Sequence, residues 1–282
     1  MPHFRILLAY DGTDYVGWQR QANGVSIQEV IEDALAGLDG RAVAVAGAGR
    51  TDSGVHALGQ VAAFTIERAL APDAVLRALN ARLPDDIRVM AAEDVPPAFH
   101  PRFDARAKTY RYRIWNGEVI SPFERRYAWH VAGPLDADAM RAAAALIVGT
   151  HDFAAFQAAG SDVASTVRDV SVSRISDCGL RIDWGLATAD RECSAIRPSR
   201  ASGRPERVEG RKPLSALLEY EVAGPGFLRH MVRTIVGTLV EIGRGKHPVN
   251  WMADVLASRD RAAAGPTAPG AGLFLVRVDY LA

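Results

Sequence analysis

Ile6, Leu8 and Tyr10 alternate with Leu7 and Ala9 ahead of an Asp11-Gly12 turn, an apolar run that predicts a buried strand over Phe4–Tyr10. Ser26, with Glu29 three residues on, reads as a helix N-cap. Ile27, Val30, Ile31, Ala34, Leu35 and Leu38 then supply a helical stripe to about Asp39. A strand from Ala42 to Ala46, a glycine-rich loop from Gly49 to His56 and a strand from Leu58 to Ile66 follow. A helix from Pro72 to Arg82 and a strand from Ile87 to Val95 complete an α+β layer.

The same mixture begins again at Arg106. Strands are expected from Arg106 to Trp115, from Tyr127 to Val131, from Asp169 to Ile175 and from Leu214 to Val222, with a helix from Asp136 to Val148. Leu228, Met231, Ile235, Leu239 and Ile242 mark one face of a helix expected over Phe227–Ile242, and a short helix from Trp251 to Ala257 and a strand from Leu273 to Tyr280 close the pattern. Two halves of like content predict two domains, 1–104 and 105–282, facing a shared cleft. Residues 191–212 break the order: seven basic and three acidic residues among Pro and Gly, with no apolar period, predict a mobile basic insertion.

Composition changes this picture little. A chain of 282 residues with 49% hydrophobic and 23% charged residues can bury a sizeable core. Lys+Arg and Asp+Glu are both 33, so any affinity for a polyanion has to come from local clustering. Cys178 and Cys193 form neither a CxxC pair nor a ligand cluster, and the histidines lack metal-ligand spacing, so no metal site is expected. The Ile6–Ala9 run is too short for a signal peptide or a membrane span, and the chain reads as cytoplasmic.

The richest stretch in chemistry is Gly47-Ala48-Gly49-Arg50-Thr51-Asp52-Ser53-Gly54-Val55-His56. Closely spaced glycines around an Arg and an Asp describe a tight loop holding opposite charges, and in an extended loop Arg50 and Asp52 point the same way. Such a pair holds a carboxylate ionised as nucleophile or base; it equally braces a turn as a structural ion pair. A second cluster interleaves Arg102, Arg106, Lys108, Arg111 and Arg113 with Phe103, Tyr110, Tyr112 and Trp115. Period two puts Arg106, Lys108, Tyr110 and Tyr112 on one strand face and Arg111, Arg113 and Trp115 on the other; either face suits a phosphate backbone and a stacked base, or plain solvent. Arg229 and Arg233, four apart in the expected helix, call for an anion between them.

Gly49-Arg50-Thr51-Asp52-Ser53-Gly54-Val55-His56-Ala57 resembles the signature of TruA-type tRNA pseudouridine synthases. Tyr10-Asp11-Gly12-Thr13-Asp14-Tyr15-Val16-Gly17-Trp18-Gln19-Arg20-Gln21, Phe103 to Tyr112, Phe227 to Gly237 and Gly272 to Val276 match the same family in the same order, over nearly the whole chain outside 191–212. The resemblance implies that Asp52 is the catalytic carboxylate, with Arg50 its partner in the loop. It implies that Tyr110 lies against the target uracil, Arg233 lies near Asp52 and Leu273 closes the pocket. Arg106, Lys108, Arg111 and Arg229 are candidates for contact with the tRNA backbone.

By the same analogy each half packs helices on an antiparallel sheet, the sheets meet beneath a central basic cleft, and a homodimer holds tRNA across both subunits. The implied reaction isomerises uridine in the anticodon stem-loop, at tRNA positions 38, 39 and 40. It breaks the N1–C1′ bond, turns the base and rejoins it through C5, so nothing enters or leaves and no cofactor is expected. Whether the carboxylate attacks C1′, attacks the base or removes the 2′ proton is open at this level. So is the choice between this enzyme, one with another RNA target, and a non-catalytic RNA-binding protein on the same scaffold. One departure stands out: Gly224-Pro225-Gly226 replaces the family's small residue and Asn before Phe227, so the backbone leading into the following helix is expected to differ.

Overall fold

The computed structural model describes residues 1–158, 160, 163–178 and 217–281; the 191–212 segment lies outside the described residues. Chain order runs β1 (His3–Tyr10), α1 (Ile27–Asp39), β2 (Ala46–Gly47), β3 (His56–Thr65), α2 (Pro72–Asn80), β4 (Ile87–Asp94) and β5 (Ala107–Asn116). It continues with β6 (Trp129–Val131), α3 (Ala137–Ala145), β7 (Gly149–Asp152), β8 (Val167–Val170), β9 (Val172–Asp177), β10 (Leu217–Gly224), α4 (Met231–Gly243), α5 (Trp251–Ser258) and β11 (Leu273–Asp279).

The expected α+β mixture is present, but the two expected sheets are one. Seven strands run in the order β4-β1-β3-β11-β5-β10-β9, with β2 beside β3 and β6 beside β5. The join is made by the last strand, which pairs antiparallel with β5 and parallel with β3 through Phe274 opposite His56 and Leu275 opposite Ala57. The C-terminal strand thus lies at the middle of the sheet and ties the two halves edge to edge. A separate two-stranded ribbon, β7-β8, branches from the second half.

Local chemistry explains most element boundaries. Ser26 caps α1 by accepting the Glu29 N–H at 3.3 Å, and Gly40 ends the helix in the left-handed region at φ 79°. The expected Ala42–Ala46 strand shrinks to the two residues of β2. Its backbone is claimed by α1: Val45 N–H donates to Glu32 Oε1 at 3.2 Å and Gln28 Nε2 donates to Val45 O at 3.0 Å. The expected Asp169–Ile175 strand is broken at Ser171, whose N–H donates at 2.8 Å and whose hydroxyl donates at 3.1 Å to Ala223 O.

One continuous core joins Ile6 and Leu8 of β1, Tyr112 and Ile114 of β5 and Tyr220 and Val222 of β10 to Ile31 and Leu35 of α1 and Ile235 and Leu239 of α4. The helix α4 is buried on nearly every side. The 265–268 segment packs flush on it, because a Cβ on Gly237 would come within 1.7 Å of Pro266 O. The expected helix from Phe227 begins four residues late, at Met231, since His230 adopts φ 63° and cannot continue helical backbone. Arg229 therefore stands outside the helix, and the expected shared helical face with Arg233 does not form.

Candidate active site

The Gly49–His56 loop is positioned by the segment that follows β1. Tyr10 bonds its hydroxyl to Thr51 Oγ1 at 2.8 Å, Trp18 N–H donates to Thr51 O at 3.0 Å, and Ser53 Oγ donates to Tyr15 O at 3.2 Å. Gly17 and Asp52 form an antiparallel bridge. Gly17 has φ 112°, and a Cβ there would lie 2.5 Å from Thr51 O, so only glycine admits this approach. Behind the loop, buried His56 accepts the Gly12 N–H at Nδ1 over 3.1 Å, with Asp11 Oδ1 3.0 Å from the same nitrogen, and its Nε2 lies 3.1 Å from Ala271 O. The Tyr10-to-Trp18 motif is thus the scaffold of the loop.

Asp52 lies in an open cleft of about 1100 Å³. Its Oδ2 accepts from Arg233 Nη1 at 3.1 Å, with His230 Nε2 3.5 Å away, while Oδ1 has no hydrogen bond among the described residues. Arg233 is locked from its other edge, Nε donating to Ala268 O at 2.7 Å. Arg50, expected to pair with Asp52, does not: among the described residues it forms no ion pair, and it stands exposed on the cleft wall. Both residues line the cleft, as the two-residue spacing expects, but the Arg50 guanidinium does not reach the carboxylate. The cation on Asp52 comes from α4, 181 residues away.

Tyr110 is buried against Phe227, the rings edge to face at 5.2 Å, and Leu273 lines the same cleft one strand over. Burial, followed by the charges of Tyr10 and Asp52, pushes the Tyr110 phenol far above its ordinary range, so it stays protonated. Its hydroxyl has no hydrogen-bond partner among the described residues.

The basic candidates separate by strand face. Lys108, on the Tyr110 side of β5, lines the cleft, where burial and then Arg102 hold its ammonium below the ordinary lysine range. Arg111 is on the opposite face, 3.3 Å from Glu219 and 3.8 Å from Glu221 of β10, and Arg113 beside it pairs with Glu124 at 2.9 Å. That face is neutralised. Arg106 is exposed at the start of β5 and is not among the residues lining the cleft, whereas Arg229 is.

Sequence reasoning missed two contributors, His230 and Arg168. His230 has no metal-ligand spacing to mark it, yet its left-handed backbone turns the imidazole onto Asp52; burial foremost, with Arg233, Arg229 and Arg261 helping and Asp52 opposing, holds it below the ordinary histidine pKa. Arg102 and Arg168 also line the cleft, and nothing in their local sequence marks Arg168 out. Among the described residues, Arg50, Arg102, Lys108, Arg168, Arg229 and Arg233 line the cleft with a single carboxylate, Asp52. A chain of zero net charge thus concentrates positive charge in one cleft. Among the described residues no group of three or more His, Cys, Asp and Glu side chains could hold a metal, and no helix is long and apolar enough to cross a membrane.

The chain is similar to known proteins over nearly its whole length. The family model described as tRNA pseudouridine synthase matches residues 6–104 and 143–281. The chain is similar to tRNA pseudouridine synthase A of Myxococcus xanthus, 44% identical over 99% of this chain and 92% of the relative. It is 42% identical to the Geobacter sulfurreducens protein of the same name and 39% identical to that of Acetivibrio thermocellus, each over 99% of this chain and the whole of the relative. On these matches the chain belongs to the tRNA pseudouridine synthase family and is an isomerase of uridine in tRNA.

Proposed function

We propose that this isomerase acts on the anticodon stem-loop of tRNA, at positions 38, 39 and 40, with Asp52 as the catalytic carboxylate on a flipped-out uridine. The observation that carries the reading is one carboxylate, fixed at Oδ2 by Arg233, in a cleft whose other described charged side chains are Lys and Arg. The basic wall, Arg50, Lys108 and Arg229 included, takes the phosphates of the RNA. A base inside a duplex cannot reach Asp52, so the target has to leave its stack. Tyr110 offers the extruded uracil an aromatic wall and a hydroxyl unpaired among the described residues, with Leu273 closing the other side.

The chemistry conserves atoms: the N1–C1′ bond breaks, a C5–C1′ bond forms, the C5 proton leaves and N1 gains one. Asp52 is equipped for the step because Arg233 occupies one oxygen and leaves Oδ1 available to the substrate. By fold analogy the working unit is a homodimer that holds tRNA across both subunits.

Pseudouridine mapping of total RNA from cells with and without the protein tests the reading. Loss confined to the 3′ side of tRNA anticodon stem-loops is the expected result. Loss elsewhere in tRNA would reassign the target, and an unchanged map would leave only RNA binding.

A further inference from the structure

Beyond the pocket for the target uracil, the cleft carries a second aromatic feature. The loop between β4 and β5 is tightly built at its base. His100 N–H donates to Asp104 Oδ2 at 2.8 Å, Asp104 N–H returns to His100 O at 3.1 Å, and Tyr280 Oη donates to Pro101 O at 2.7 Å. Phe99 is held in a tilted pair with Tyr280 at 5.3 Å. At the tip of this rigid loop Phe103 is 75% exposed. Its ring lies 4.3 Å from the His100 ring, and the Arg102 guanidinium stands 5.8 Å from its centroid.

A single exposed aromatic is ordinary on a protein surface. Phe103 differs in its company: it lines the same cleft as Asp52, together with His100, Arg102, Lys108 and Arg50. A flat apolar face beside imidazole and guanidinium groups, within reach of a basic track, is the combination that holds unpaired bases of single-stranded nucleic acid. Extruding one nucleotide also leaves its neighbours without a stacking partner. The positive charge around the ring favours a polyanion and disfavours an apolar protein partner.

We propose that Phe103, with His100 and Arg102, is a stacking platform for an unpaired nucleobase of the substrate RNA other than the target uridine. The proposal rests on the tRNA reading above. Because stacking uses the face that every base shares, the platform selects for an unpaired base and not for its identity.

The test is a set of substitutions, Phe103→Trp, Phe103→Leu and Phe103→Ala, compared with the parent by tRNA titration and by the mass of the RNA-free protein in solution. Thermal midpoints should stay within a degree or so, since the ring contributes little to the core. Expected is an affinity order set by aromaticity: Trp at least equal to Phe, Leu and Ala both weakened by about tenfold. The added indole should also be quenched on RNA binding relative to the parent. Equal affinity for all four proteins overturns the platform while the parent's activity leaves the tRNA reading intact. A Leu variant as tight as the parent reduces Phe103 to an apolar contact and overturns it too. A change of mass without RNA would assign the ring to a second copy of the chain. A parent that neither binds nor isomerises tRNA would instead strike the reading on which the platform rests.

Discussion

Arg233 Nη1 lies 3.1 Å from Asp52 Oδ2, and the same guanidinium donates through Nε to Ala268 O at 2.7 Å. Arg233 is thus a rigid bridge between the carboxylate loop and the segment leading into β11. The geometry asks for a planar group with two separated donors, which an ammonium does not supply.

Asp52→Asn is expected to abolish isomerisation while sparing the fold and tRNA affinity. The amide nearly matches the carboxylate in shape and can still accept from Arg233, but it is neither nucleophile nor base. A loss of at least about 10³-fold is expected in single-turnover tritium release from tRNA labelled at uracil C5. Near-normal release would remove Asp52 from the mechanism, and a joint fall in stability and affinity with residual rate would make it a brace of the loop.

Replacing Arg233 with lysine should cost nearly as much rate as replacing it with alanine. Either change breaks a hydrogen bond to a charged group, each of which contributes about 1.5–3 kcal/mol, and frees Asp52 to leave its position. Thermal unfolding should report a loss in that range, and single-turnover rates should fall by about 10²-fold at saturating tRNA. A lysine variant with the parent's rate would show that charge alone suffices.

Arg111→Ala should leave tRNA affinity and its salt dependence unchanged, because that guanidinium is spent on Glu219 and Glu221 across the sheet from the cleft. Lys108→Ala, on the cleft side, should lower the slope of log affinity against log salt by roughly one. Titrations at several salt concentrations distinguish the two faces; the reverse pattern would put RNA on the wrong side of β5.

Stability should decline as pH falls below the ordinary histidine value of 6.5. His56 and His230 are both held below it in the folded chain, burial being the main cause for each. The unfolded chain then binds more protons between the folded and unfolded pKa values, so their contribution is complete above 6.5 and shrinks as pH drops toward the folded values. His56 faces Asp11, which resists the shift, and stacks on Phe274 at 4.6 Å. Melting scans from pH 8 to pH 5 should show this slope well above the carboxylate range, and His56→Gln should flatten it. A flat profile in the parent contradicts the assigned burial effect.

Much of the molecule was legible in the residues. Alternation in Phe4–Tyr10 and the Ser26 cap with its apolar stripe gave β1 and α1, because strand and helix periods and caps are local effects. The 49–56 motif pointed to Asp52, and period two placed Lys108 with Tyr110. What local pattern could not carry was decided by contacts distant in sequence. The Ala42–Ala46 segment had strand periodicity but gave its backbone to Gln28 and Glu32. Arg50, two residues from Asp52, lost the ion pair to Arg233, which α4 and Gly237 packing brought in from across the chain. The two expected sheets became one because β11 found an edge on β3 as well as on β5. His230 faces Asp52 only because its backbone turns left-handed where α4 begins. The sequence by itself determined most of the elements and the loop that carries Asp52, since these depend on neighbours along the chain. The tertiary structure alone decided which cation holds Asp52 and where positive charge gathers, since ion pairs and clefts depend on distance in space.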